Sequence, residues 1–288
     1  RKNRRTMAAR LAPAALHLTG ADLLPGVASF LGCYKLERGR VVNGRPAYKQ
    51  IESGVRWIAF DGFSWMAQKE SSLGEERGFL QLGDGCASPD VSDVTWYQRD
   101  GNGGWLEVPG LRCVAMTEAE AEAESQRQVE ARMAAAPAAL RLTGAVLLPG
   151  VASFLGCYKL ERGRVVNGRP AYKQIESGVR WIAFDGFSWM AQKESSLGEE
   201  RGVLELDDGR ASPDVSEVTW KQRDGNGGWL EVPGLRCVAM TEAEAVLQRR
   251  IAKLPAWARE HINTLSSNAA AAERERQRAR QETRRATE

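Results

Sequence analysis

Two histidines, five cysteines and a scatter of carboxylates are the groups in this chain whose types support conventional catalysis. His17 and His261 have no counterparts in the internal repeat described below. A Ser-His-Asp or Cys-His arrangement needs a histidine in each working copy, and His-based zinc sites need several. The cysteines show no C-x-x-C spacing. Asp61, Glu70, Asp84, Asp90, Asp93, Asp100 and Glu107 supply enough acid for a glycosidase-like pair, but their spacing selects none. The stretch DGNGGWLEV from Asp100 opens like a calcium loop. Its twelfth position, where an EF-hand places a bidentate Glu, is Leu111, so the stretch reads as a hairpin turn. SSLGEERG lacks P-loop spacing. These observations predict no cofactor, no metal and no enzyme, with a carboxylate-based hydrolase as the weakest reading.

Aromatic residues are more informative. The first half carries Trp57, Trp65, Trp96 and Trp105, and the second half Trp181, Trp189, Trp220 and Trp229. A domain of about 100 residues fills its core with two or three large aromatics, so each copy has a surplus. Trp65 shares a strand face with Phe63, Trp96 points inward and Tyr97 outward, and Trp105 follows a glycine-rich turn at a rim. Trp65, Tyr97, Trp105, Trp189 and Trp229 are the candidate ligand contacts, by stacking on a sugar ring or anchoring a peptide. Each tryptophan among them also has a core reading.

These residues sit in a repeat. Residues 13–121 match residues 137–245 at all but eight of 109 positions. A period above 100 residues is too long for a solenoid, so each copy is a self-sufficient module produced by recent duplication. Three of the changes, Phe79/Val203, Gln81/Glu205 and Gly83/Asp207, alternate with unchanged Leu80 and Leu82. Period two is the mark of a strand with one buried face, here Leu80 and Leu82. Asn43-Gly44 and Asp61-Gly62 are hairpin dipeptides. They punctuate strand-like runs beginning with CYKLE, GRVV and PAYKQ and ending with WLEV and LRCVA. Cys33 and Cys113 fall in the first and last of these runs, as do Cys157 and Cys237. Two disulfides, Cys33–Cys113 and Cys157–Cys237, are therefore geometrically open, beside the reading of these cysteines as small buried hydrophobes. Bridges would place the protein in an oxidising compartment, and free thiols inside the cell. Cys86 faces Arg210 in the second copy and reads as a free thiol.

Thr117 to Glu120 and Thr241 to Glu244 are capping boxes that open helices. After the second, Val246, Leu247, Ile251 and Leu254 form an apolar face, and Pro255 starts a helix with Trp257, His261 and Leu265 on one side. The closing AAAAERERQRARQETRRATE is polar all round, either a solvated helix or disordered. Residues 13–121 hold 10 Lys/Arg against 14 Asp/Glu, a poor platform for nucleic acid. The excess base lies at the ends, where Arg274, Arg276, Arg278, Arg280, Arg284 and Arg285 make weak nucleic-acid contact conceivable for the tail alone. PAALHLTGADLLPG recurs internally as PAALRLTGAVLLPG from Pro137, leaving residues 1–10 as the only stretch a targeting signal would occupy. The longest apolar run, residues 145–158, is broken by Pro149, Gly150 and Gly156 and falls short of the ~20 residues a membrane helix needs, which predicts a soluble protein.

The succession YKLERGRVVNGRPAYK, WIAFDGFSWMAQKES, GFLQL and VTWYQRDGNGGWLEVPGLRCVA resembles repeat modules of unicellular algae and other protists. Those carry a GRxVNGRPxY segment, then a Trp/Tyr-rich strand–Asp-Gly–Trp hairpin, and end near a Trp…Val pair. The resemblance covers residues 33–115 and 157–239. It implies a modular repeat and brings no activity or catalytic residues with it.

The sequence thus predicts a mainly β protein of two small antiparallel modules, each a barrel, sandwich or meander. Its parts are a basic segment (residues 1–12), module 1 (13–116), a helical spacer (117–136), module 2 (137–240) and a helical, charged tail (241–288). The expected role is non-catalytic binding of a glycan or protein through exposed tryptophan. The alternative is an intracellular scaffold that recruits partners with the tail.

Overall fold

A computed structural model of the chain describes residues 12–255 and single positions between 257 and 276. The protein is mainly β, and each module is one nine-stranded antiparallel sheet. In module 1 the strands are β1 (Ala15–Thr19), β2 (Gly32–Val42), β3 (Arg45–Gln50), β4 (Arg56–Phe60), β5 (Trp65–Lys69), β6 (Leu80–Leu82), β7 (Trp96–Arg99), β8 (Trp105–Val108) and β9 (Arg112–Met116), with the short α1 (Pro25–Ala28) after β1. Module 2 repeats this plan from β10 (Ala139–Thr143) to β18 (Arg236–Met240).

Strand order is β8-β7-β6-β5-β4-β3-β2-β1-β9, a meander whose last strand returns beside the first. This order forces the sheet to curl. Were it flat, β8 and β9 would lie about 38 Å apart, at ~4.8 Å per strand. Only residues 109–111 join them, which reach at most about 14 Å. The edges therefore approach each other. Antiparallel pairing around the sheet makes β8 and β9 run in the same direction, so they form one strand bent at Pro109-Gly110, which passes from β7 to β1. Each module is a curled half-barrel with a seam at this corner.

Alternation places Leu16, Tyr34, Ile58, Trp65, Leu80 and Trp96 inside module 1, all at most 2% exposed. Leu80 and Leu82 point inward as their spacing predicts. β4 is buried on both faces, because Trp57 and Ala59 on its outer side lie under Val42 and Leu73. That cover is held by Gln68, whose Nε2 donates to the carbonyls of Ser72 (2.6 Å) and Arg77 (3.0 Å) while its Oε1 accepts the Gly74 N–H. Asn43-Gly44 makes the expected tight turn, with φ of 48° and 80°. Asp61-Gly62 does not. The loop has four residues, with the Asp61 carboxylate accepting the N–H groups of Phe63 and Ser64 at 2.7 Å each.

The spacer is α2 (Glu118–Ala135), opened by the Thr117/Glu120 capping box. Its Ala121 packs on Ala15 and Cys33 against the outside of the module 1 sheet. A second compact unit begins at Thr241 and contains α3 (Glu242–Ala252), opened by its own capping box. No helix among the described residues is long and apolar enough to cross a membrane. The basic residues 1–10 and most of the arginine-rich tail lie outside the described residues.

The register overturns the disulfide expectation. β1 lies between β2 and β9, with His17 opposite Cys33 on one side and Leu18 opposite Cys113 on the other. Adjacent residues of one strand face opposite ways. Cys113 thus points into the core with Leu18, and Cys33 outward against α2. Two strand spacings and the sheet itself separate the sulfurs. Cys157 and Cys237 repeat this arrangement, with Arg141 opposite the first and Leu142 opposite the second. All five cysteines are free thiols. Burial pushes the Cys157 thiol up to about 11, the state of an inert packing residue.

Candidate functional site

Of the five aromatic candidates, two are core. Trp65 and Trp189 are fully buried, and each donates its indole N–H inward, to the carbonyl of Cys86 (2.9 Å) and of Arg210 (3.0 Å) respectively. They are unavailable to a surface ligand. The reason is register: Trp65 opposes Leu82 and Phe60 on the inward face, whereas Phe63 lies on the preceding loop and is 75% exposed.

Trp105 and Tyr97 share the outer face of β7 and β8. The register pairs Tyr97 with Glu107 and Arg99 with Trp105. The Asp100 carboxylate shapes the intervening loop by accepting the N–H groups of Asn102 (2.8 Å) and Gly104 (2.9 Å). A Cβ on Gly104 would meet that carboxylate at 2.5 Å and push it off these amides. The half-buried Trp105 ring lies against the Arg99 guanidinium, 4.6 Å from its centroid. Arg99 is fixed in turn by donating to the carbonyls of Gly78 (3.2 Å) and Gly103 (3.3 Å). Tyr97 donates its hydroxyl to Glu107 at 3.1 Å, and that bond holds the phenol above its usual range. In module 2, β16 (Lys221–Arg223) and β17 (Trp229–Glu231) rebuild the stack, with Arg223 4.4 Å from the Trp229 ring. Lys221 replaces Tyr97 and lies 3.9 Å from Asp207. Three of the eight differences between the copies, Gln81/Glu205, Gly83/Asp207 and Tyr97/Lys221, thus fall on or beside this face.

A second feature repeats at the seam. A groove of ≈ 500 Å³ in module 1 and ≈ 680 Å³ in module 2 runs between β9 or β18 and the segment before β7 or β16. Asp90, Asp93, Thr95 and Arg112 line it beside Val94 and Val114, which are about half exposed.

The third feature was not legible in the sequence. The loop at residues 185–188 of module 2 seats in the open end of module 1. Phe187 packs beside Phe30 (centroids 6.1 Å apart) and Phe79 (6.3 Å), with the Lys69 ammonium 3.8 Å above its ring. Lys69 also pairs with Glu200 at 2.8 Å, and the Gly209 N–H donates to the Pro25 carbonyl at 3.1 Å. A Cβ on Gly186 would collide with Val55. The joint is as close as a core contact.

The joint also holds a strongly perturbed carboxylate, Asp185. Burial pushes Asp185 up to about 6, with Glu200 adding to the rise. Hydrogen bonds from the Ser188 and Phe187 amides, and the charge of Lys69, oppose it. A carboxyl raised from an ordinary 3.8 contributes stability that is complete below that value and is lost as pH rises through about 6. The joint is therefore expected to be tighter at pH 5 than at pH 7.5, by up to about 1.4 kcal/mol. Hydrogen exchange at residues 185–188 across that range checks this. Asp185→Asn, which keeps the loop acceptor, should flatten the profile, and unchanged profiles in the two proteins would refute the assignment.

No family model, curated protein or solved structure matches this chain. The fold defines its class, a tandem pair of curled nine-stranded antiparallel β modules with a following helical unit. Among the described residues no cluster of three metal-ligating side chains occurs.

Proposed function

We propose that this is a non-catalytic tandem binding protein that takes glycans on the outer faces of β7–β8 and β16–β17. One observation carries the reading: in both modules a half-buried tryptophan lies against an arginine that is itself anchored to the backbone. A fixed indole offers an apolar platform for the C–H face of a sugar ring at little entropic cost. Neighbouring Glu107, Tyr97 and Gln81, or Glu231, Lys221 and Glu205, offer hydroxyl partners at the same level. Two such faces on one chain multiply avidity for a ligand that repeats. Trp105→Ala or Trp229→Ala is expected to weaken binding to a multivalent glycan surface at least tenfold, and the double variant to abolish it. Each should move stability by no more than about 1 kcal/mol. Glycan-array binding beside thermal melting makes the test. Retained binding in the double variant would sink the reading.

A second reading, an intracellular scaffold that recruits proteins through the helical tail, draws on the exposure of Val246, Leu247 and Leu254 in and just after α3, and of Trp257 beyond it. It predicts partner capture that depends on residues 241–288, and none by a chain ending at Met240.

A further inference from the structure

We propose that the protein assembles head to tail, the loop at residues 61–64 of one copy seating in the open end of module 2 of another. The joint between the modules is the template. Because the copies are nearly identical, the chain is its own control for what that joint covers. Phe187 is half-buried, whereas the same residue in module 1, Phe63, is 75% exposed. Asp208 is fully buried and Asp84 exposed, and a Cβ on Gly62 would meet nothing where one on Gly186 collides with Val55. Module 1 therefore carries an unused copy of the inserting surface.

Module 2 carries an unused copy of the receiving surface. Val179 is 56% exposed where Val55 is half-buried, and Ser153 is exposed where Ser29 is 5% exposed. The receiving site is already built, since Arg180 lies 5.2 Å from the Phe154 ring much as Arg56 lies 5.5 Å from Phe30. The charges match too: Lys193 and Glu76, counterparts of the Lys69–Glu200 pair, are both exposed.

The joint unites two different surfaces. It is heterologous, and repetition between molecules leaves a free inserting loop at one end and a free receiving site at the other. Such contacts grow into open chains unless the rotation closes a ring. The contact between molecules is weaker than the one within, for two reasons. It lacks the tether supplied by α2, which holds the partners at millimolar effective concentration. Val203 also replaces Phe79, which stacks on Phe30 at 4.8 Å in the occupied site.

Sedimentation velocity of the full chain from ~10 µM to ~1 mM tests this. The expected result is a mass that rises with concentration. Phe63→Asp and Val179→Asp should each weaken association at least tenfold without lowering the melting temperature, because both side chains are exposed. Mixing the two variants leaves one good inserting surface and one good receiving surface, so the mixture should form a 1:1 dimer and stop there. Val203→Phe should tighten association about tenfold. A chain that stays monomeric at ~1 mM even with Val203→Phe would overturn the proposal. So would association that both aspartate variants leave intact, or a mixture that dissociates like its components. The inference is independent of the glycan reading, since Trp105→Ala and Trp229→Ala should leave association unchanged.

Discussion

A Trp65→Ala chain is expected to melt in two steps, module 1 first. Trp65 is fully buried, lies 5.7 Å from Phe60 and 6.4 Å from Tyr48 by ring centroid, and satisfies the Cys86 carbonyl. Truncation leaves a cavity that costs about 3–5 kcal/mol, and the orphaned carbonyl adds about 1–3 kcal/mol. A domain of this size has only about 5–15 kcal/mol in total. The first transition should therefore fall by roughly 15–30 °C while the second stays near its original temperature. Differential scanning calorimetry reads both at once. Trp105→Ala, which removes a half-buried ring from the outer face, is the control and should leave a single transition near the wild-type temperature. Equal behaviour of the two variants would mean that the inward and outward assignments are wrong.

Phe187→Ala is expected to loosen the joint between the modules, and Phe63→Ala to leave it untouched. The two residues have identical local sequence, so propensity and loop chemistry cancel in the comparison. What remains is the contact of Phe187 with Phe30, Phe79 and Lys69, whose loss costs about 2–3 kcal/mol. That is a roughly 30- to 150-fold rise in the undocked population. Hydrogen exchange at Val55 and Arg56, which face the inserted loop, should accelerate by that factor in Phe187→Ala alone. Phe187→Ala and Lys69→Ala share one contact, so their effects should not add. Equal exchange in the Phe63→Ala and Phe187→Ala chains would refute the joint.

Much of the fold is written locally. Period-two alternation around Leu80 and Leu82, the Asn43-Gly44 turn and the Thr117 and Thr241 capping boxes all appear where their chemistry puts them, because each depends on residues a few positions apart. The 124-residue offset likewise declares two modules. Errors begin where a local reading leaves a choice open. ALHLT, following a basic and alanine-rich stretch, does not stand out as a strand, although Leu16 and Leu18 alternate. Omitting it makes CYKLE the first strand and brings Cys33 beside Cys113. In the fold β1 separates them and sends their sulfurs to opposite faces. CYKLE and GRVV, read as two strands, are one strand of 11 residues whose register shifts between Leu36 and Val41.

The tryptophans mark the next limit. Aromatic count alone says that each module has more rings than a core needs. Whether Trp65 or Trp105 is the surplus one depends on which face the curled sheet encloses, and curling is set by the bent strand β8–β9, a property of the whole chain. The joint lies beyond local reading altogether. Residues 61–64 and 185–188 are the same four letters, Asp-Gly-Phe-Ser, one loop open to solvent and the other seated in its neighbour. The sequence by itself determined two copies of a β module and their turns and caps. Only the tertiary structure decided which copy inserts and which receives, because a contact between unlike surfaces on two like bodies must leave one of each unused.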